Sequence, residues 1–321
     1  MSTLVLILQK TLIYAIPLLI VALAGVFAER SGIINLALEG EMIFGAFFGA
    51  LFVQMMQNSG TFADNQQLLF VLALLVSGIF GALFSLLLSF AAIKFKVDQT
   101  IAGTALNMLA PAILLTVCLV FFNQEKLVMN PMPNYVILNE NLNNPILEIF
   151  FNKAYISTYI CIALFIALSI WLYKSKTGTH LRACGEHPQA ADSVGINVYK
   201  MRYLGTTISG FLAGIGGYAY IATVAAGTAE SSVGGMGFLA LAIMIFGNWD
   251  PKGIALGSLL FGFLKCIGQL SNQIEFLQNL NLSVYFYNII PYLIVIIVLV
   301  IFRNKSGCPK AEGIPYDKGQ R

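Results

Sequence analysis

The chain has 321 residues, of which 58 % are hydrophobic and only 10 % charged, with a net charge of +3 and a mean hydropathy of +0.81. A soluble domain carries about 25 % charged residues, so this composition excludes an ordinary soluble fold and points to a polytopic helical membrane protein. The small basic excess does not imply nucleic acid. Five scattered cysteines, Cys118, Cys161, Cys184, Cys266 and Cys308, lack metal-ligand spacing and read as inert buried thiols.

In chain order, nine apolar blocks can be marked: 3–28, 33–56, 67–93, 99–122, 155–173, 204–224, 236–248, 253–271 and 284–302. Most are near the roughly 20 residues a spanning helix needs. The first contains Ala22-Leu23-Ala24, which looks like a cleavage site after an apolar run, but no basic stretch precedes that run, so 3–28 reads as a retained span. Block 236–248 is short and reads as a half-helix or as one that starts earlier. The expected fold is all-α, with about nine transmembrane helices in one domain, 1–321. Four spans, then one, then four would set the two halves in inverted orientation, a common transporter plan.

Between the first two blocks lies Glu29-Arg30-Ser31-Gly32-Ile33-Ile34-Asn35-Leu36-Ala37-Leu38-Glu39-Gly40-Glu41. Acids near a bilayer centre cost roughly 2.5–3.5 kcal/mol on insertion scales and usually face a bundle interior. Four residues apart, Asn35 and Glu39 would share a helix face and offer an amide and a carboxylate to a polyol or a base. The plainer reading of Glu39 is a paired or neutral carboxyl that fixes helix packing. Glu29 and Arg30 are expected to pair with each other at the interface. In the fourth block Gln99, Gly103 and Asn107 are spaced to line one face, with Asp98 solvated before them. Asn35, Glu39, Gln99 and Asn107 are the candidate substrate-pathway residues.

The stretch 174–202 is a polar island with five basic residues, Lys174, Lys176, Arg182, Lys200 and Arg202. Pro188 suits a first helical position and Gly195 a stop, so a short helix is expected over 188–194. Such a helix held between spans is either a docking surface or a solvated connection. If this loop is cytoplasmic, alternation puts Arg30, Lys94, Lys96, Lys252 and the basic residues of the tail 303–321 on the same side. Only Lys126 and Lys153, in an external loop 123–154, stay outside, which fits the positive-inside rule with an external N-terminus and a cytoplasmic C-terminus. Lys265, inside a span, is expected to snorkel.

The pairs Gly45/Gly49, Gly210/Gly214 and Gly253/Gly257 put small residues on one helix face, for close packing in lipid. Trp249, in the turn Asn248-Trp249-Asp250-Pro251, reads as an interfacial anchor. The sequence has no G-x-x-x-x-G-K-[ST] phosphate loop and no argued catalytic triad, and His180 and His187 lack metal-ligand partners nearby, so transport rather than chemistry is the expected output.

The loop Gly178-x-x-x-Arg182-Ala183-x-Gly185-Glu186-x-Pro188-x-Ala190-Ala191-x-x-x-Gly195-Ile196-Asn197 resembles that of bacterial ABC importer permeases of the ribose and branched-chain amino acid type. The segment from Glu29 to Met42 is similar to a signature of the narrower group that takes up nucleosides with a lipoprotein receptor. His187 departs from the loop pattern, where the family usually has Asn. The resemblance implies a bacterial cell-membrane subunit without a cofactor of its own. It further implies a cytoplasmic ABC ATPase that binds ATP and grips the loop through Arg182, Gly185, Glu186, Pro188, Ala190, Ala191 and Gly195. A second permease, identical or homologous, and an external substrate-binding lipoprotein would complete the importer. The rival reading is an ion-coupled secondary transporter with Glu39 as its proton or cation site; it has no need of the loop.

Overall fold

The computed structural model describes residues 3–130, 145–152, 154–271, 283–302 and 307–319. Parts of loop 123–154 and of tail 303–321 therefore lie outside the described residues. The helices are α1 (Thr3–Arg30), α2 (Leu38–Ser59), α3 (Gln66–Ile93), α4 (Gln99–Val117), α5 (Pro145–Phe151), α6 (Ile156–Lys174), α7 (Lys176–Glu186), α8 (Pro188–Ser193), α9 (Val198–Thr223), α10 (Met236–Phe246), α11 (Pro251–Leu270) and α12 (Val284–Phe302). A π-helical turn, Cys118–Phe122, extends α4. Each apolar block falls on one of these helices. Among the described residues, α1, α2, α3, α4 with its π turn, α6 and α11 are long and apolar enough to cross a membrane.

Two short strands, β1 (Leu127–Val128) and β2 (Thr228–Ala229), pair antiparallel. They mark one end of the bundle, where Gln57 at the end of α2 exchanges hydrogen bonds with Asn130. This is the ribbon end. The opposite, loop end carries α7 and α8, the end of α1 and the start of α9. There Arg30 meets Glu186 at 3.5 Å, and Val198 packs with Cys184.

The packing has an internal two-fold pattern. α1 lies on α9; α9 also lies on α3, and α1 on α11. α2 touches α3, α4 and α9, while α10 touches α11, α12 and α1. α1 runs toward the loop end and α9 away from it, so α1–α4 and α9–α12 are related by inversion, with α6 to α8 between them. α9 is 26 residues long yet rich in glycine, serine and threonine. It sits among protein helices, where small polar side chains find partners, rather than against lipid.

Close contact at the centre depends on glycine. A Cβ on Gly214 would collide with the Ser77 carbonyl oxygen of α3, and one on Gly45 of α2 would lie 2.5 Å from the Gly214 Cα. Ser77 Oγ donates to the Gly214 carbonyl at 2.5 Å. With no hydrophobic drive between helices in lipid, such backbone approach and the polar contacts it permits hold helices together. Overpacking a core typically costs about 1–3 kcal/mol. Gly214→Leu is therefore expected to lower the melting temperature of the detergent-purified protein by several degrees or to abolish its recovery. Gly319→Ala, at an open position of the tail, should leave recovery and melting unchanged in the same fluorescence size-exclusion assay.

Candidate functional site

The first unusual site is the crossover between α1 and α2. The helix expected from residue 33 does not start until Leu38; residues 31–37 are irregular, with Gly32 at φ +95°. Asn35 and Glu39 therefore do not share a helix face, which corrects the spacing argument. The crossover is inside the bundle, and its backbone groups need partners from the chain itself. Gln99 Oε1 accepts the Ile34 N–H at 2.7 Å. Asn107 accepts the Gly40 N–H at 2.7 Å through Oδ1 and donates to the Leu36 carbonyl at 2.6 Å through Nδ2. Asn35 Oδ1 accepts the Ala37 N–H at 3.0 Å, and its Nδ2 donates to the Glu41 carboxylate at 3.1 Å and to Ser209 Oγ at 2.9 Å.

Gln99, Gly103 and Asn107 do share one face of α4, and that face lies against 34–40. Asp98 caps α4, accepting the Thr100 and Ile101 N–H groups at 2.8 and 3.2 Å. Those bonds, Ile101 first, hold its carboxyl below the ordinary range.

Glu39 lies in the first turn of α2 and is 6 % exposed. Its Oε1 accepts the Gly235 N–H at 3.0 Å and its Oε2 the Gly237 N–H at 2.6 Å, at the start of α10. The short block is thus an 11-residue half-helix, entered through a second irregular segment, 230–235. α2 starts after a break entered from the loop end, and α10 after one entered from the ribbon end. The two helix N-termini meet, and a carboxylate sits between the positive ends of their dipoles. Tyr292 Oη donates to the Gly234 carbonyl at 3.1 Å, and Lys265 Nζ donates to Tyr292 Oη at 2.9 Å.

The second site is the loop end. α8 covers Pro188–Ser193 with Pro188 at its first turn, and Gly195, at φ +88°, ends it as expected. Gly195 N–H bonds to the Asp192 carbonyl and Ile196 N–H to that of Ala191, both at 3.0 Å. Pro188 and Ala191 are buried, Ala190 and Gln189 exposed, and Val194 is 75 % exposed. Sequence reasoning missed the 11-residue α7 before it. Gly185 rests on the end of α1, where a Cβ would collide with the Arg30 carbonyl, and Gly178 rests likewise on the Leu172 carbonyl. Arg182 lies over the Tyr173 ring at 4.9 Å.

Arg30 pairs with Glu186, not with Glu29. Glu29 instead accepts the Trp249 indole N–H at 2.5 Å, and Trp249 is buried rather than interfacial. Arg202, counted with the loop cations, is 1 % exposed and lies against Gly32. Among the cysteines, Cys308 alone is exposed, and burial pushes the Cys184 thiol up to about 11.

Similarity to known proteins identifies the family. The family model described as "branched-chain amino acid transport system / permease component" matches residues 7–299. The guanosine ABC transporter permease protein NupQ of Bacillus subtilis is 40 % identical over 318 residues, spanning 98 % of this chain and 97 % of its own length. The nucleoside ABC transporter permease protein NupC of Lactococcus lactis is 37 % identical over 320 residues, spanning 99 % of each. A more distant relative, the guanosine ABC transporter permease protein NupP of Bacillus subtilis, is 27 % identical over 278 residues, 81 % of this chain and 72 % of its own. No solved structure matches. The chain is a multi-pass membrane protein and belongs to the branched-chain amino acid transport system permease family.

Proposed function

We propose that this chain is a pore-forming subunit of an ATP-driven importer for nucleosides, with a purine nucleoside as the favoured substrate. The observation that carries the reading is α8: a short helix packed at one end of a membrane bundle, with its Gln189 and Ala190, and Val194 just after it, exposed. The full-length similarity to the guanosine and nucleoside permeases supports the substrate class. In this reading the loop end faces the cytoplasm and docks a two-site ABC ATPase, the ribbon end receives substrate from an external lipoprotein, and the N-terminus is outside. The pore is shared with a second permease. That Bacillus subtilis holds two guanosine permeases of different length, both similar to this chain, supports a paralogue rather than a copy.

The pathway runs past the junction of the two broken helices. In this reading half-buried Asn107 borders the pathway, and buried Glu39, Asn35 and Gln99 support the junction and the crossover beside it. Contacts with substrate stay few, since strong binding in a pore slows release.

Proteoliposomes holding this chain, a second permease, the ATPase and the receptor should take up radiolabelled guanosine only with ATP present. Uptake by this chain alone on an ion gradient would overturn the importer reading and favour a secondary carrier.

Glu39→Gln keeps one acceptor for the α10 N-terminus and should retain part of the uptake. Glu39→Ala removes both bonds; hydrogen bonds to charged groups are worth about 1.5–3 kcal/mol each, so uptake should be mostly lost and the melting temperature lowered. Equal and complete loss of uptake in both variants, with unchanged melting, would mark Glu39 as a proton site.

The orientation is checked with single cysteines at Gln189 and Asn58 in a cysteine-free chain. An impermeant thiol reagent on intact cells should label position 58 and spare position 189; the reverse pattern inverts the topology.

A further inference from the structure

The described tail, 307–319, does not hang free at the loop end. It runs from the turn after α10, beneath α7 and α8, to the end of α3. Gly307 N–H donates to Asn248 Oδ1 at 2.5 Å. Ala311 N–H donates to the Gly185 carbonyl at 2.9 Å. Tyr316, 4 % exposed, is buried in a cluster with Cys184 of α7, Ala191 of α8 and Val198 of α9. Its ring lies 5.2 Å from that of Tyr199. Asp317 pairs with Lys96, just past α3, at 2.6 Å, and Lys318 reaches Asp192 of α8 at 3.7 Å.

The helix it holds cannot hold itself. α8 has 6 residues, far below the roughly 12–15 at which an isolated helix becomes even marginal. Its position must come from tertiary contact. Only Pro188 and Ala191 of its side chains are buried, and the Ala191 contact is with the cluster that Tyr316 completes. The ion pairs lie at the surface, with Asp192 partly covered, and add little energy; they tie the tail to α8 on one side and to the end of α3 on the other. At its other end the tail is bonded to Asn248, two residues beyond α10. α10 is the half-helix whose start rests on Glu39. The tail therefore bridges the outward-facing helix and the end of an element that reaches the central junction.

We propose that the tail segment 307–319, through Tyr316 as a positioning residue, carries displacement of α8 to α3 and α10. The proposal rests on the importer reading and adds to it a further mechanical route besides the covalent connections of α8 to α7 and to α9. Tyr316 touches no substrate; it acts through α8.

The test uses the complete importer in proteoliposomes, with guanosine as the probe, and reads three quantities: co-purification of the ATPase, ATP hydrolysis with and without substrate-loaded receptor, and guanosine taken up per ATP hydrolysed. Losing the burial of one large side chain shifts an equilibrium by about tenfold or more. Tyr316→Ala should therefore keep assembly and basal hydrolysis, lose the stimulation by loaded receptor, and lower uptake per ATP about tenfold. Tyr316→Phe, which keeps the ring, should restore stimulation and uptake to near wild type. Deleting 307–319 should reproduce the Tyr316→Ala phenotype. Normal stimulation and uptake in Tyr316→Ala or in the deletion would overturn the proposal. So would loss of ATPase co-purification in parallel with uptake, because that marks the tail as an assembly anchor. If the unmodified importer shows no ATP-dependent uptake, the importer reading itself fails, and this proposal with it.

Discussion

A peptide chain that stops being helical inside a membrane bundle must supply its own hydrogen-bond partners, and much of this structure follows from that constraint. Residues 31–37 leave the helical pattern between α1 and α2. Each unsatisfied backbone group in hydrocarbon costs several kcal/mol. Gln99, Asn107 and Asn35 take up the Ile34, Leu36, Ala37 and Gly40 groups. Side-chain amides suit this task because each carries both a donor and an acceptor. Their presence in α4 and the crossover is explained by this service alone, whatever else passes by them.

The inverted repeat gives that break a counterpart. α10 begins inside the bundle as α2 does, but from the other side, and Glu39 joins the two starts. An acidic side chain is favourable here because it faces exposed N–H groups at the positive end of a helix. Around this junction the packing is tight: glycine lets α2, α3 and α9 touch through their backbones. Tightly packed helices move as blocks rather than by bending, so a displacement at the loop end would reach the junction as rotation or sliding of whole elements.

The apolar blocks, the shortness of the α10 block and the loop helix α8 were legible in the sequence, because hydropathy and a Pro–Gly pair report directly on burial and on helix limits. The break at 31–37 was not. Ile33, Ile34, Leu36 and Leu38 continue the apolar run, and Gly32 alone does not separate a tight turn from close packing. The acids were correctly singled out as costly, but their partners were not. Glu29 bonds Trp249 and Arg30 bonds Glu186, pairings 220 and 156 residues apart that no local pattern encodes. The tail was read only as charge. Its contacts with α7 and α8 depend on Tyr316, one aromatic in a polar stretch, and on where the chain returns in space.

The path of the tail also sets an order of events during synthesis. Residues 307–319 emerge from the ribosome after α12, yet they complete the cluster around Ala191 and bond Gly185. Until they arrive, α7 and α8 are threaded through the membrane topology but lack their underside. A nascent chain therefore carries α7 and α8 without the contacts of Tyr316 and Ala311 for as long as its later helices are still being inserted.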